Sequence, residues 1–273
     1  MIVDIGVLGP LRARIGGVSV VPSAAKPRQL LALLAVRTGQ IVTVDELTAE
    51  LWQEDPPRSA ATTLQTYVLQ LRRRITAAIG GHPGLSAKDM LSTEHGGYRL
   101  ARPADAVDLH RARALIARGR QELADGDDHA GSALLGEALR LWDGPTLVDV
   151  PRGPQLRIEY MAMEESRLGA LELRIEADLR LGRHHRLLDE LTTLTAEQPL
   201  HEALHAHFMV ALYRSGRAVQ STEVFRRLRA TLIDELGLEP SPRVQRLHQA
   251  ILASHPDLDP VPAPVMELMA KGR

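Results

Sequence analysis

Hydrophobic residues recur with a helical period over most of this chain, and the pattern is clearest between Ser59 and Ile75. At about 100° per residue, one face of this segment collects Leu64, Val68, Leu71 and Ile75, with Ala60 and Ala61 beside them. The opposite face collects Thr62, Thr63, Thr66, Gln70, Arg73 and Arg74, with Tyr67 at its margin. The pattern predicts an amphipathic helix with one buried stripe and one polar face.

The segments around this helix predict a small mixed domain. Residues Ile2 to Val21 alternate loosely between apolar and polar positions and contain glycine turns, which predicts short strands. Pro27 suits the first turn of a leucine-rich helix, and the capping box Thr43-Val44-Asp45-Glu46 starts a second, short helix. Met90 to Leu100 has two glycines at its centre, which predicts a hairpin. Strands, three helices and a hairpin, in this order, predict a winged helix-turn-helix.

The second half of the chain has a different pattern, because strand signals stop at about Ala104 and helical periodicity continues to about Ala253. Two similar turns, Leu181-Gly182-Arg183 and Ser215-Gly216-Arg217, place their glycines 34 residues apart. This is the period of a tetratricopeptide repeat. Helix pairs with this period stack into a superhelix whose concave face usually binds protein.

The chain is therefore predicted to be mainly α with small β-sheets. Residues 1–103 are expected to form the winged helix-turn-helix domain, and residues 104–254 an all-α, tetratricopeptide-like domain. Residues 255–273 contain four prolines and are expected to be a disordered tail.

Composition narrows the function. The chain has no cysteine, which excludes disulfides, thiolate catalysis and cysteine-based zinc sites. Residues 1–103 carry a net charge of +4 and the remainder −5, although the whole chain sums to −1. This division fits a DNA-binding module joined to a part that meets another partner, and ordinary charge scatter remains the alternative. The N-terminus lacks the basic region of a signal peptide and no apolar run reaches membrane length, so a cytoplasmic protein is expected.

The polar face of the Ser59–Ile75 helix is free of acidic residues, since none occurs between Pro56 and Lys88. The major groove of DNA admits such a helix, with arginine available for phosphates and glutamine, threonine and arginine for base edges. A solvated helix face with a routine arginine run is the alternative.

His201-Glu202-Ala203-Leu204-His205 matches the zincin motif, in which two imidazoles on one helix face bind zinc beside a glutamate base. The longer metzincin pattern is not met, because Phe208 and Ala211 stand where glycine and histidine would be required. The motif also lies inside the 34-residue repeat. We therefore expect no metal site and no catalytic residues here.

Several segments together resemble the Streptomyces antibiotic regulatory proteins. In the first half they are K-P-R-Q-L-L-A-L-L-A at 26–35, E-L-W-Q-E-D-P-P at 50–57, T-L-Q-T-Y-V-L-Q-L-R-R at 63–73 and G-G-Y-R-L at 96–100. In the second half they are L-R-L-W-D-G-P-T-L-V-D-V at 139–150, R-I-E-A-D-L-R-L-G-R-H at 174–184, A-L-Y-R-S-G-R at 211–217 and D-E-L-G-L-E-P-S-P at 234–242. The resemblance covers roughly residues 1–254 and is strongest to the small two-domain members.

The resemblance implies an OmpR-type winged helix followed by a bacterial transcriptional activation domain. It implies an activator of a secondary-metabolite gene cluster that binds direct repeats near the −35 region, with two protomers side by side. The expected partners are this double-stranded DNA and RNA polymerase holoenzyme, including its sigma subunit. No Walker A motif occurs, so nucleotide control is not implied. The resemblance implies a regulator without enzymatic activity and without a cofactor, with a cytoplasmic, nucleoid-associated localisation.

The resemblance makes Ser59 to Ile75 the recognition helix. Residues expected to contact bases are Thr63, Thr66, Gln70 and Arg73. Residues expected to contact phosphates are Lys26, Arg28, Arg58, Tyr67, Arg72 and Arg74. Leu69 falls near the polar side, where it would meet a thymine methyl group or pack on a neighbouring element.

Two further regions have a functional and a structural interpretation. The hairpin tip His95-Gly96-Gly97 would form the wing that contacts DNA, or only a tight turn, and Tyr98 is expected to pack on the sheet. Glu54 and Asp55, in the loop Gln53 to Arg58, would face RNA polymerase, or simply belong to a polar loop. A helical-repeat scaffold without DNA binding remains the alternative function, and a zinc hydrolase is a more distant one.

Overall fold

The computed structural model describes residues 3–80, 86–101 and 106–258. It divides into two compact units, one made of Met1–Arg118 and Gly136–Ala170 and the other of Gly119–Leu135 and Leu171–Arg273. The predicted domain boundaries after residues 103 and 254 are not tested by this division and remain predictions. No helix of the described residues is long and apolar enough to cross a membrane.

The chain begins with a three-stranded antiparallel sheet, as the loose alternation predicts. Its strands are β1 (Val3–Gly6), β2 (Arg12–Ile15) and β3 (Val18–Ser19), in the order β1-β2-β3. Ile5 pairs with Ala13, and both side chains are buried. One face of the sheet therefore packs against the core of the first unit.

Three helices follow the sheet, which confirms the predicted order. They are α1 (Ala25–Val36), α2 (Val44–Trp52) and α3 (Ala60–Ile79). The capping box that starts α2 is present, because the Thr43 hydroxyl accepts from Glu46 N and the Glu46 carboxylate accepts from Thr43 N. This bonding holds the pKa of Glu46 below its usual value: the Thr43 backbone N–H is the main cause, and Arg37 adds to it.

Helix α3 is one turn longer than the sequence pattern indicated. Ile79 lies four residues after Ile75 and is also buried, so the apolar stripe continues to the end of the helix. Gly80 ends it with φ 58°, a left-handed conformation that favours glycine. Ala61 is exposed, which corrects its placement beside the buried stripe.

A second antiparallel sheet completes the winged helix. It contains β4 (Val42–Thr43), β5 (Leu91–Glu94) and β6 (Gly97–Leu100), in the order β4-β6-β5. Gly97 lies so close to β4 that an added Cβ would stand 2.3 Å from the Val42 carbonyl oxygen, so only glycine fits this position. A short helix that the sequence analysis missed, α4 (Ala87–Met90), precedes β5 and begins with the Ser86–Asp89 capping box.

The rest of the described chain is helical, as predicted. The helices are α5 (Asp108–Ala124), α6 (Asp128–Leu139), α7 (Pro154–Arg180), α8 (His184–Glu197), α9 (Glu202–Arg214), α10 (Ala218–Leu236) and α11 (Pro242–Leu252). Gly182 and Gly216 lie in the predicted turns with φ 71° and 74°. Pro256–Leu258 form a 3-10 helix, and residues 259–273 of the predicted tail lie outside the described residues.

The first unit joins the winged helix to residues that follow it by about a hundred positions. The buried Asp108 carboxylate accepts hydrogen bonds from Val7 N at 2.9 Å and Leu8 N at 3.2 Å. Burial raises the pKa of Asp108, although these N–H groups oppose the shift. In the same unit the Leu147 N–H donates to the Gly9 carbonyl at 2.7 Å. The loop before α7 is therefore bonded to the connection between β1 and β2.

The second unit packs its helices closely. A Cβ added at Gly131 of α6 would meet the Leu123 side chain of α5 at 2.3 Å, so this helix crossing needs glycine. Asp178 of α7 accepts from Ser132 and Arg183, both at 2.8 Å. The Asp178 carboxylate therefore joins α6, α7 and the turn that follows α7.

Candidate nucleic-acid interface

Helix α3 presents two distinct faces within the winged helix. The buried face consists of Ala60, Leu64, Val68, Leu71, Ile75 and Ile79, and it packs against α1 and α2. The face turned to solvent consists of Ala61, Thr62, Gln65, Thr66, Leu69, Gln70, Arg73, Arg74, Thr76 and Ala77. We call this second set the exposed face of α3. It contains no acidic side chain, so its positive charge is not cancelled locally.

The predicted base-contacting residues do not all lie on this face. Gln70 and Arg73 are exposed and, among the described residues, their side chains have no hydrogen-bond partner. Thr66 is exposed, and its hydroxyl donates to the Thr62 carbonyl at 2.9 Å. Thr63 is half-buried, with its hydroxyl 3.5 Å from that of Ser59. Gln70 and Arg73 are therefore the two most available polar groups of the predicted set.

Six residues of the exposed face are not among the site residues predicted from the sequence: Ala61, Thr62, Gln65, Leu69, Thr76 and Ala77. Gln65 is exposed one turn before Leu69, and the side chain of Leu69 is 47% exposed. Leu69 has two predicted roles, and its exposed part is available to a thymine methyl group. The helical wheel marks Leu69, which lies on the side away from Val68 and Leu71, whereas Gln65 lies only about 60° from Val68.

Two of the predicted phosphate-binding arginines are bonded within the protein. Arg72 donates from Nε and Nη2 to the Leu91 carbonyl, at 3.0 and 2.8 Å, and from Nη2 to the Thr93 hydroxyl at 2.8 Å. Arg28 donates to the Pro22 and Asp149 carbonyls, both at 3.1 Å. Arg72 thus ties α3 to β5, and Arg28 ties α1 to the loop before α7.

Arg58 and Arg74 are more accessible. Arg58 is exposed immediately before α3, and the first turn of that helix has no acidic residue. The positive end of the helix dipole adds to the charge of Arg58. Arg74 is exposed and makes one long contact, from Nη1 to the Val21 carbonyl at 3.5 Å.

Lys26 and Tyr67 meet at the same tryptophan. The Lys26 ammonium lies 4.7 Å from the centroid of the Trp52 ring. The Tyr67 ring stacks on Trp52 with a centroid distance of 6.3 Å and an angle of 14°. This stack orders side chains from α1, α2 and α3 beside the exposed face.

The wing is the hairpin of β5 and β6. His95 and Gly96 form its exposed tip, and Gly96 has φ 79°. Gly97 is buried against β4, and Tyr98 is 7% exposed, which confirms that Tyr98 packs on the sheet. The tip therefore offers the His95 side chain and backbone groups to a ligand.

The loop between α2 and α3 is exposed from Gln53 to Ser59. Gln53 has φ 55°, which turns the chain sharply at the end of α2. Glu54 and Asp55 are exposed here, so their carboxylates are free to meet a partner. The loop starts three residues after Glu50, which is only 1% exposed.

The HEALH segment is used structurally. His201 precedes α9 and its Nδ1 accepts from Leu204 N at 3.4 Å, while its Nε2 lies 3.2 Å from Glu172. The Glu202 carboxylate accepts from Ser241 N at 2.7 Å. His205 Nδ1 bonds the His201 carbonyl at 3.1 Å. Among the described residues no group of three or more histidines and carboxylates could hold a metal ion.

Two sequence profiles match the chain in the order of this architecture. The profile described as transcriptional regulatory protein, C terminal, matches residues 19–100. The profile of the bacterial transcriptional activator domain matches residues 107–252. The first match contains α1 to β6, and the second contains α5 to α11.

Regulatory protein DnrI of Streptomyces peucetius is 50% identical to the chain over 256 residues, which are 94% of each protein. The chain belongs to the Streptomyces antibiotic regulatory protein family. Regulatory protein AfsR of Streptomyces coelicolor is 39% identical over 263 residues, which are 96% of this chain and 25% of that protein. A solved structure of Mycobacterium tuberculosis EmbR, in complex with a low affinity phosphopeptide, matches with a TM-score of 0.86 at 32% identity and covers 98% of this chain and 68% of that one.

These matches confirm the family and the fold class that the sequence predicts. The protein is a transcriptional activator, and the matched families and relatives are regulators and not enzymes. Its winged helix carries α3 with an exposed, acid-free face. The roles assigned to individual residues of this face remain predictions.

Proposed function

We propose that the protein activates a secondary-metabolite gene cluster by binding direct repeats near the −35 region with α3 in the major groove. The observation that carries this proposal is the exposed face of α3, where hydroxyl, amide and guanidinium groups surround one exposed leucine. A helix of this kind fits the major groove, where base edges are read by such groups. Two protomers would bind side by side on the repeats.

The accessibility of each side chain divides the proposed contacts. Gln70 and Arg73 would contact base edges, because each can pair with two atoms of adenine or guanine, and Thr66 would lie beside them. Arg58 and Arg74 would contact phosphates. Lys26 and Tyr67, which both contact Trp52, would contact the phosphate backbone of the DNA at the side of α3. Arg72 and Arg28 would act mainly by holding α3 and α1 in place, because their guanidinium groups already bond carbonyl oxygens.

The exposed carboxylates of Glu54 and Asp55 would contact RNA polymerase holoenzyme, including its sigma subunit. They stand in the loop that precedes α3, so a bound polymerase would lie next to the DNA contacts. A cytoplasmic, nucleoid-associated localisation follows from this function and belongs to the same proposal, as do the domain limits 1–103 and 104–254.

Salt-dependent DNA binding tests the proposal. The affinity of the full chain for a promoter fragment with direct repeats would be measured by fluorescence anisotropy over a range of salt. We expect log K to fall linearly with log salt, with a slope of about 0.9 per phosphate contact. Arg58→Ala should reduce this slope, whereas Arg118→Ala should not, because Arg118 is an equally exposed arginine on α5. A chain that binds protein partners and shows no salt-dependent DNA affinity would instead be a helical-repeat scaffold.

A further inference from the structure

A cavity of about 410 Å³ lies between α8, α9 and α10 in the second unit. This volume falls in the range of roughly 300–1,000 Å³ that is typical of small-molecule sites. Phe208, Leu212, Val224 and Leu228 supply apolar lining. A ligand in this cavity would therefore bury an apolar body against the helices.

More cationic than anionic side chains line this cavity. Arg217 and Arg227 line it, together with a single carboxylate, Glu223. Arg217 is bonded to Gln220, and the guanidinium of Arg227 has no hydrogen-bond or ion-pair partner among the described residues. An anionic group that enters the cavity would gain a charge-assisted hydrogen bond from Arg227.

His205 provides a second polar group at this cavity, and it is 7% exposed. Its Nδ1 bonds the His201 carbonyl oxygen at 3.1 Å. Burial, the largest cause, lowers the pKa of His205, so the ring is neutral near pH 7. A carbonyl oxygen only accepts, so Nδ1 carries the proton and Nε2 is an acceptor. In the described part of the chain the His205 ring makes this one hydrogen bond, so Nε2 has no protein partner.

We propose that this cavity binds an apolar organic acid that carries a hydroxyl group. The carboxylate would accept from Arg227 and Arg217, the hydroxyl would donate to His205 Nε2, and the apolar body would contact Phe208 and Leu228. This site is separate from the exposed face of α3, and it does not depend on the proposed DNA binding.

The chemistry of the lining favours an acid over a cation or a neutral hydrocarbon. A cation would meet two guanidinium groups and one carboxylate, so its charge would be repelled overall. A neutral hydrocarbon would leave His205 Nε2 and Arg227 without partners after water is displaced, which costs free energy. An acid with a hydroxyl group satisfies both groups at once.

Isothermal titration calorimetry of the full chain with 6-hydroxy-2-naphthoate, whose hydroxyl is too far from its own carboxylate to bond it, tests the proposal. We expect saturable binding with one site per chain, and weaker binding of 2-naphthoate, which lacks the hydroxyl, and of the methyl ester, which lacks the charge. Arg227→Gln should weaken binding of the acid by about tenfold, the loss typical of a hydrogen bond to a charged group. Arg226→Gln is the matched control, because Arg226 is the neighbouring exposed arginine of α10 and does not line the cavity.

A second variant tests the place of binding. Ala196 is exposed on α8 and lines the cavity, so Ala196→Trp should fill it without disturbing the core. We expect this variant to lose binding of 6-hydroxy-2-naphthoate and to keep the wild-type circular dichroism spectrum. The proposal is overturned if the wild-type chain does not bind the acid or if the methyl ester binds as tightly as the acid. It is also overturned if Arg227→Gln and Ala196→Trp both bind the acid like the wild type.

Discussion

The carboxylate of Glu50 accepts a hydrogen bond from the backbone N–H of Gly153 at 2.7 Å, across 103 positions of the chain. The same carboxylate accepts from Gln155 N at 2.8 Å and from Leu156 N at 3.1 Å, and Gln29 donates to it at 2.7 Å. Glu50 therefore caps the N-terminus of α7, where the helix dipole favours a negative charge. A Cβ at Gly153 would stand 2.1 Å from the Glu50 carbonyl oxygen, so the contact also needs glycine.

Replacing Glu50 should destabilise the first unit strongly. Glu50→Ala leaves three N–H groups at the α7 N-terminus without their partner and removes one of the two hydrogen bonds of the Gln29 amide, which keeps its bond to the backbone carbonyl of residue 50. Glu50 is 1% exposed, so water does not replace the lost bonds. We expect a loss of about 3 kcal/mol in the free energy of unfolding, measured by urea denaturation. Glu54→Ala, an exposed glutamate of the following loop, should change it little. Equal stabilities of the two variants would contradict the capping role.

Leu69 should read a thymine methyl group. The wild-type chain would first select its preferred DNA, and each thymine of that site would then be replaced by uracil, which lacks only the C5 methyl. At one position we expect a loss of affinity of roughly fourfold, the value of one buried methyl group of about 0.8 kcal/mol.

The Leu69→Ala variant should show no loss at that position, because the contact is already gone. Leu252→Ala, which shortens an exposed leucine of α11, should keep it. A loss that persists in Leu69→Ala would assign the methyl contact to another residue.

Arg72 and Arg73 are neighbours with different expected roles. Arg72→Ala removes the hydrogen bonds to Leu91 and Thr93 and should lower the free energy of unfolding by about 1.5 kcal/mol. It should weaken binding to all DNA sequences alike, because α3 loses its link to the wing. Arg73→Ala should leave thermal stability unchanged and reduce discrimination between bases.

These two outcomes would be compared by thermal melting and by binding to specific and scrambled DNA. A stability loss in Arg73→Ala, or unchanged base discrimination in it, would contradict the assignment.

Glu54 and Asp55 should affect transcription and not DNA binding. Both carboxylates are exposed in the loop before α3, and neither lies on the exposed face of that helix. We expect Glu54→Ala with Asp55→Ala to keep promoter affinity in anisotropy titrations and to lose most activation in a run-off assay with RNA polymerase holoenzyme. Glu122→Ala, a change of a glutamate in α5, serves as control. Full activation by the loop variant would remove these residues from the polymerase contact.

The second unit should lose stability as the pH falls below about 6.5. Burial, the largest cause, lowers the pKa of His184, His205, His207 and His248 from 6.5. At a pH between the lower folded pKa values and the unfolded value, the unfolded chain binds protons that the folded chain does not. The free energy of unfolding therefore decreases as the pH falls through this window, and the contribution of these histidines is fully present above it.

Melting temperatures measured by circular dichroism at pH 7.5 and 5.5 would check this sign. Asp108 acts in the opposite direction, because burial raises its pKa, but it is a single group. His207→Gln should reduce the pH dependence, since this side chain no longer titrates. A higher melting temperature at pH 5.5 would contradict the expected direction.

The sequence by itself determined the elements that depend on neighbouring residues. The buried stripe of α3, the Thr43–Glu46 capping box and the 34-residue spacing of Gly182 and Gly216 all follow from local periodicity or local hydrogen bonds. Such signals span at most a few turns, or repeat at a fixed period, and are therefore readable along the chain. The same periodicity placed Gln70 and Arg73 on the exposed face.

Tertiary structure alone decided which polar groups remain free. In the sequence, Arg28 and Arg72 carry the same charge as Arg58 and Arg73. In the structure, however, Arg28 donates a hydrogen bond to the Asp149 carbonyl oxygen, and Arg72 donates to that of Leu91. The cap of α7 by Glu50 and the lining of the cavity at His205 likewise join segments that are distant in sequence or come from different helices. No local pattern marks these contacts, because burial and hydrogen-bond partners depend on where the folded backbone brings each segment.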